Sequence, residues 1–142
     1  MNILIIENEI YLAQKVVSRL LDDGHSCDYI ESPNIDNLTK EYDTILLSTS
    51  LPSALCKNII KRYSENAIIL LLVSYISDET VTNPIKDGAK DYIMKPFIMD
   101  ELVRKIYHYK ECRSIRRELQ TLKEYFNFTM AEIDTTDVLL PP

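Results

Sequence analysis

The chain has 142 residues, of which 46% are hydrophobic and 27% charged; this is the composition of one folded domain with a modest extension, and it excludes global disorder. Its apolar runs, such as 67–73, fall short of the roughly 20 residues that a membrane helix needs, and the start Met1-Asn2-Ile3 lacks the basic region of a secretory signal. A net charge of −6 excludes nucleic-acid binding by the bulk field, and three widely spaced cysteines, Cys27, Cys56 and Cys112, encode neither a disulfide framework nor a zinc site. They read as ordinary thiols of a reducing cytoplasm.

Apolar strand-like runs alternate with amphipathic helical ones, the pattern of an α/β, doubly wound parallel sheet. The first strand is expected at 2–6. Ile10, Ala13, Val17, Leu20 and Leu21 then recur at helical spacing, and Gly24 is a plausible stop. A second strand at 27–30 leads to a short, weakly patterned helix around 35–40. The third strand, 44–47, is followed by a helix near 55–63 with Leu55, Ile59 and Tyr63 on one face. After a fourth strand at 68–73 the pattern falters, because Pro84 stands where the middle of a helix belongs and an interior proline costs about 3 kcal/mol. Asn83 as N-cap with Pro84 as first helical residue resolves this, and it predicts a long loop and a stunted helix.

A fifth strand at 92–94 precedes a helix that starts near Met99-Asp100 and meets no breaker. Leu102, Ile106, Tyr109, Cys112, Ile115, Leu119, Leu122 and Phe126 recur along it at steps of three or four, a seam able to pack on a partner helix. One step is irregular, since Tyr109, Cys112 and Ile115 are spaced three and three. The seam reads as a dimerising linker, with a helix lying back on its own domain as the alternative. Its interleaved basic residues, Arg104 to Lys123, read as a solvated face. The expected organisation is a domain over 1–107, a helical linker or dimerisation extension over 108–126, and an irregular tail, or the start of a further region, over 127–142.

Functional groups of an open parallel sheet gather outside the carboxyl ends of the strands. Here these are Glu7, Asn8 and Glu9 after the first strand, Ser48 after the third, Val73 and Ser74 after the fourth, and Lys95-Pro96 after the fifth. Three blocks carry a family resemblance: Ile3-Leu4-Ile5-Ile6-Glu7-Asn8-Glu9, Leu47-Ser48-Thr49-Ser50-Leu51-Pro52, and Gly88-Ala89-Lys90-Asp91-Tyr92-Ile93-Met94-Lys95-Pro96-Phe97. In order and spacing they resemble the receiver domain of two-component response regulators. The resemblance implies a five-stranded, flavodoxin- or CheY-like sheet of order 2-1-3-4-5 with an extended C-terminal helix.

Family chemistry needs an acceptor aspartate and a magnesium ion held by that aspartate and a pair of carboxylates. By the resemblance Ser48 falls on the acceptor, and Glu7 and neutral Asn8 on the acidic pair. Lys95 matches the lysine that pairs with the phosphoryl group, and Tyr92 the aromatic switch. Val73 falls on the switch hydroxyl when counted back from Lys95 without a gap, and Ser74 does so after a slip of one. A hard cation wants anionic oxygen, so magnesium is expected to bind poorly and neither metal nor cofactor is implied. Lys95 is expected to pair with Glu7. A catalytic serine is not expected, because His25 and His108 lie far along the chain from Ser48 and no Gly-x-Ser-x-Gly elbow is present. No catalytic residue is assigned and the chain is not read as an enzyme.

The resemblance therefore implies an atypical, orphan-type receiver, cytoplasmic and independent of phosphorylation, in a bacterial transcriptional response regulator. Its expected partners are a second copy of itself, through Leu102, Ile106, Tyr109, Ile115, Leu119 and Leu122, and a DNA-binding effector domain in a longer parent chain. Contact with membrane, or with nucleic acid by this segment, is not expected. The alternative is a standalone scaffold or adaptor that docks a signalling partner. A further rival is a receiver that takes up phosphate through another side chain.

Overall fold

Strands buried on both faces need continuous apolar runs, and the chain supplies them where the backbone extends. In the computed structural model, which describes residues 1–32, 34 and 37–135 and side chains as far as residue 127, β1 (Asn2–Ile6), β2 (Ser26–Ile30), β3 (Thr44–Ser48), β4 (Ile68–Val73) and β5 (Asp91–Met94) form one sheet. All neighbours are parallel and the order is β2-β1-β3-β4-β5. Every residue of β3 and β4 is buried, whereas the edge strands β2 and β5 are largely half-buried. Side chains alternate across a sheet. Leu4, Ile6, Ile45, Leu47, Ile69, Leu71 and Val73 share a core cluster with Cys56, Ile59, Ile60 and Tyr63 of α2 (Ser53–Tyr63). Ile3, Ile5, Leu46, Leu70 and Leu72 alternate with them and are equally buried.

The first helix, α1 (Ile10–Asp22), buries Ala13, Val16 and Leu20 and lies against β1 and β2. Gly24 follows its C-cap at φ +87°, a left-handed conformation that an L side chain rarely adopts, and its N–H reaches Leu21 O at 3.0 Å. The helix expected around 35–40 falls partly on residues 35 and 36, outside the described ones. Residues 38–40 are not helical. Leu38 instead drops into the core beside Tyr42, whose hydroxyl donates to Asp28 Oδ2 at 2.8 Å.

The expectation for Pro84 needs correcting. Asn83 is not the cap: the true N-cap is Ser77, whose Oγ accepts from Thr80 N–H at 3.1 Å while Thr80 Oγ1 accepts from Ser77 N–H at 3.0 Å, a reciprocal capping box. From there Asp78–Thr82 winds as a π-helical turn and passes straight into α3 (Asn83–Asp87). The wider ring bonds an N–H five residues back, as in Thr82 N–H to Ser77 O and Asn83 N–H to Asp78 O. This loosens the turn that the proline ring would otherwise strike, and Pro84 enters at the start of α3. Gly88 ends α3 at φ +133°, and a Cβ there would lie 2.6 Å from Ser64 Cβ at the end of α2. The glycine of the Gly-Ala-Lys-Asp-Tyr run is thus demanded by backbone and packing.

The last helix, α4 (Met99–Thr135), continues past Phe126, where the apolar period lapses and an irregular tail was expected. No glycine or proline lies between 99 and 135, so backbone propensity carries the helix where side-chain pattern does not. The chain divides into Met1–Ile106 and Tyr107–Pro142. Leu102 and Ile106 are each 1% exposed, which corrects their place in the dimer seam: they belong to the core of the first unit. Among the described residues no helix is long and apolar enough to cross a membrane.

Candidate functional site at the strand ends

Because β1, β3 and β5 run parallel, the residues that follow them emerge at one edge of the sheet. Glu7 follows β1, Ser48 ends β3 and Lys95 follows β5. Their side chains meet there. The Lys95 ammonium binds Glu7 Oε1 and also donates to Ser48 Oγ at 3.2 Å. Glu7 and Ser48 are wholly buried and the lysine side chain is 8% exposed. An isolated charge in such a place costs far more than the fold can bear, so each partner holds the other there. The second oxygen, Glu7 Oε2, is buried with no hydrogen-bond partner, as is the Tyr29 hydroxyl. The ammonium is therefore the group that compensates this carboxylate.

A serine hydroxyl has two acceptor sites and one proton. At Ser48 the acceptors receive Lys95 Nζ and the N–H of Ser50, the latter at 3.3 Å. Its proton accordingly goes to Ser50 Oγ, 2.6 Å away, and Ser50 passes its own to Asn8 Oδ1 at 3.0 Å. A directed chain Lys95→Ser48→Ser50→Asn8 results, tying together the ends of β1, β3 and β5. A hydroxyl so engaged, beside a cation and with no base, is not an activated nucleophile. Ser50 was not singled out from sequence. Its signal is Ser-Thr-Ser immediately after a buried strand, a pattern that lets the first hydroxyl take the N–H two residues on.

The remaining assigned positions fall as follows. Val73 ends β4 wholly buried in the core cluster, its carbonyl taking Lys95 N–H at 2.8 Å, and Ser74 beyond it is exposed. Tyr92 is half-buried and packs on the same cluster. Lys105 stands 6.0 Å from its ring centroid and donates to its carbonyl and to Asp91 Oδ2, each at 3.0 Å. Glu9 is the exposed N-cap of α1 and makes no side-chain cap bond. Burial pushes the Cys56 thiol up to about 11, and the Cys27 thiol likewise to about 11. Both are thiols, not thiolates, near neutrality.

The residues at this corner do not fit the magnesium ion that the receiver resemblance implies. Such an ion takes anionic oxygens in a near-octahedral shell, whereas Glu7 already carries an ammonium and Asn8 offers a neutral amide oxygen engaged by Ser50. Among the described residues no cluster of three or more His, Cys, Asp or Glu side chains is placed to hold a metal.

No family model matches the chain. The transcriptional regulatory protein DltR of Streptococcus agalactiae is 33% identical over 113 residues, covering 75% of this chain and 50% of that protein. The response regulator ArlR of Staphylococcus haemolyticus is 36% identical over 112 residues, covering 74% and 50%. Among solved structures, a CheY-like receiver domain protein from Methanospirillum hungatei superposes with a TM-score of 0.74 at 19% identity, covering 81% of this chain and 97% of that one. NtrX from Brucella abortus gives 0.71 at 25% identity, covering 86% and 29%. The fold is that of a CheY-like receiver domain. The relatives are response regulators, and this chain spans about half the length of the curated ones it matches. In this chain Ser48 ends β3, and the lysine after β5 pairs with the glutamate after β1.

Proposed function

We propose that this receiver-fold chain is the regulatory module of a transcriptional response regulator that works by protein–protein contact and homodimerisation, without phosphorylation and without enzymatic activity. The observation that carries the reading is at the end of β3, where the resemblance would put the acceptor: a buried serine whose hydroxyl is consumed by the chain from Lys95 to Asn8. An alcohol cannot form the labile acyl phosphate of a receiver, and the lysine that would meet a phosphoryl group is spent on Glu7. The regulator context rests on relatives of which this chain spans about half, named as a transcriptional regulatory protein and a response regulator. In that context an effector domain that binds DNA would belong to a longer parent chain.

Incubation with a small-molecule phosphodonor and magnesium, read by intact mass, tests the reading. The wild-type chain is expected to gain nothing, while Asn8→Asp/Ser48→Asp, which returns two carboxylates to the corner, serves as the comparison that can gain one phosphoryl group. A phosphoryl adduct on the wild type that persists in Ser48→Ala and vanishes in Glu7→Gln would overturn it.

A further inference from the structure

Beyond Ile106, α4 carries large apolar side chains in water. Ile115, Leu119, Leu122 and Phe126 are 50%, 61%, 62% and 59% exposed, and Cys112 is exposed as well. From Cys112 onward their spacing is three, four, three, four. This is a heptad with Cys112, Leu119 and Phe126 at position a and Ile115 and Leu122 at position d. At 100° per residue this stripe lies roughly 130° around the helix axis from Leu102, Ile106 and Tyr109. The irregular step at Tyr109 therefore marks where one apolar face ends and another begins.

The charges beside the stripe decide what covers it. Position g holds Glu111 and Glu118, and position e holds Arg116 and Lys123. In a parallel pair of helices each g side chain faces the e side chain five residues on in the other strand, so Glu111 meets the partner's Arg116 and Glu118 meets the partner's Lys123. Antiparallel pairing would set g against g and e against e, glutamate on glutamate and cation on cation. The same residues thus attract in one orientation and repel in the other. We propose that the face Cys112-Ile115-Leu119-Leu122-Phe126 is a parallel, in-register coiled-coil interface with a second copy of this chain. The inference rests on the homodimer of the proposed function and supplies its surface, orientation and register.

Light scattering on the full 142-residue chain should give a dimer, and Leu119→Glu/Leu122→Glu a monomer that unfolds at the same temperature as the wild type diluted to monomer, because both positions are exposed in the single chain. Cys112 sits opposite the partner's Cys112 in one layer, so a short bis-maleimide should join two wild-type copies and fail to join Cys112→Ser. Glu111→Lys/Glu118→Lys and Arg116→Glu/Lys123→Glu should each self-associate about tenfold more weakly, and an equimolar mixture should restore the dimer. A dimer that survives Leu119→Glu/Leu122→Glu overturns the interface and leaves homodimerisation standing elsewhere. A dimer lost in that variant but never joined through Cys112 overturns the parallel register. A wild-type chain monomeric at every concentration overturns both the interface and the homodimer, while the unphosphorylated pocket stands or falls separately on the phosphodonor result.

Discussion

Two places on this chain hold side chains where water or oil would normally forbid them: a glutamate and a lysine in the dry interior, and four large apolar residues on an exposed helix face. The first mismatch is settled inside the chain. Glu7 and Lys95 neutralise each other, and the serine between them hands its hydrogen bonds on to Ser50 and Asn8. The second is not settled among the described residues, since Ile115, Leu119, Leu122 and Phe126 remain at least half exposed. In the receiver fold the strand-end corner is where a signal is received, yet here its polar atoms are spent on holding three strands together. In the proposed reading, the surface that meets a partner lies on the helix instead.

Lys95→Met breaks this contrast most severely, because it strands the Glu7 carboxylate in the interior. A loss of about 3–5 kcal/mol is expected by urea denaturation. Glu7→Gln/Lys95→Met should recover most of that loss, since it removes both charges together. A Lys95→Met chain as stable as the wild type would mean that the pair does not hold the corner. Next comes Ser48→Ala, which leaves the Ser50 hydroxyl and the lysine short of a partner and should cost about 1–3 kcal/mol. A neutral result would show that the hydroxyl is not engaged.

A smaller effect is expected at the β2 edge, where hydrogen bonds from Lys40 and then Tyr42 hold the Asp28 carboxyl below its ordinary value of 3.8. A depressed carboxyl contributes stability above its unfolded value and loses it as pH falls through the folded one. The contribution is thus present at neutral pH and fades below roughly pH 4. Asp28→Asn should flatten the fall of the urea midpoint on that acid limb, and an unchanged slope would remove Asp28 from the account. Least of all should happen to the folding of residues 1–106 in Leu119→Glu/Leu122→Glu. Its unfolding free energy should stay within about 0.5 kcal/mol of the wild type, measured where the chain is dilute enough to be monomeric. A larger loss would mean that the stripe is covered at home.

Much of this corner was legible from the chain. β1 and β4 keep the bounds that their apolar runs predict, and the rule that parallel strands collect function at their carboxyl ends puts Glu7, Ser48 and Lys95 together. The direction of the hydrogen-bond chain was not legible, because it depends on Ser50 turning back on Ser48, a local geometry that two serines permit without requiring. Nor was the π turn before Pro84. Helical propensities describe rings closed four residues back, whereas Ser77 and Thr80 cap one another around a wider ring. Leu102 and Leu119 show the limit most clearly, since both lie on the same string of three- and four-residue steps. Spacing reports that a helix face is apolar but not what covers it; burial separates 1% exposure at the first from 61% at the second. Burial also distinguishes Val73, inside the core, from exposed Ser74.

In the proposed reading, the corner formed by Glu7, Ser48 and Lys95 is closed to magnesium and a phosphoryl group. Amide NMR spectra of the wild-type chain, recorded before and after addition of magnesium with beryllofluoride, a mimic of the acyl phosphate, test it directly. The account predicts no shifts at the ends of β1, β3 and β5. Saturable shifts of Glu7, Ser48 and Lys95 in the wild type would contradict it.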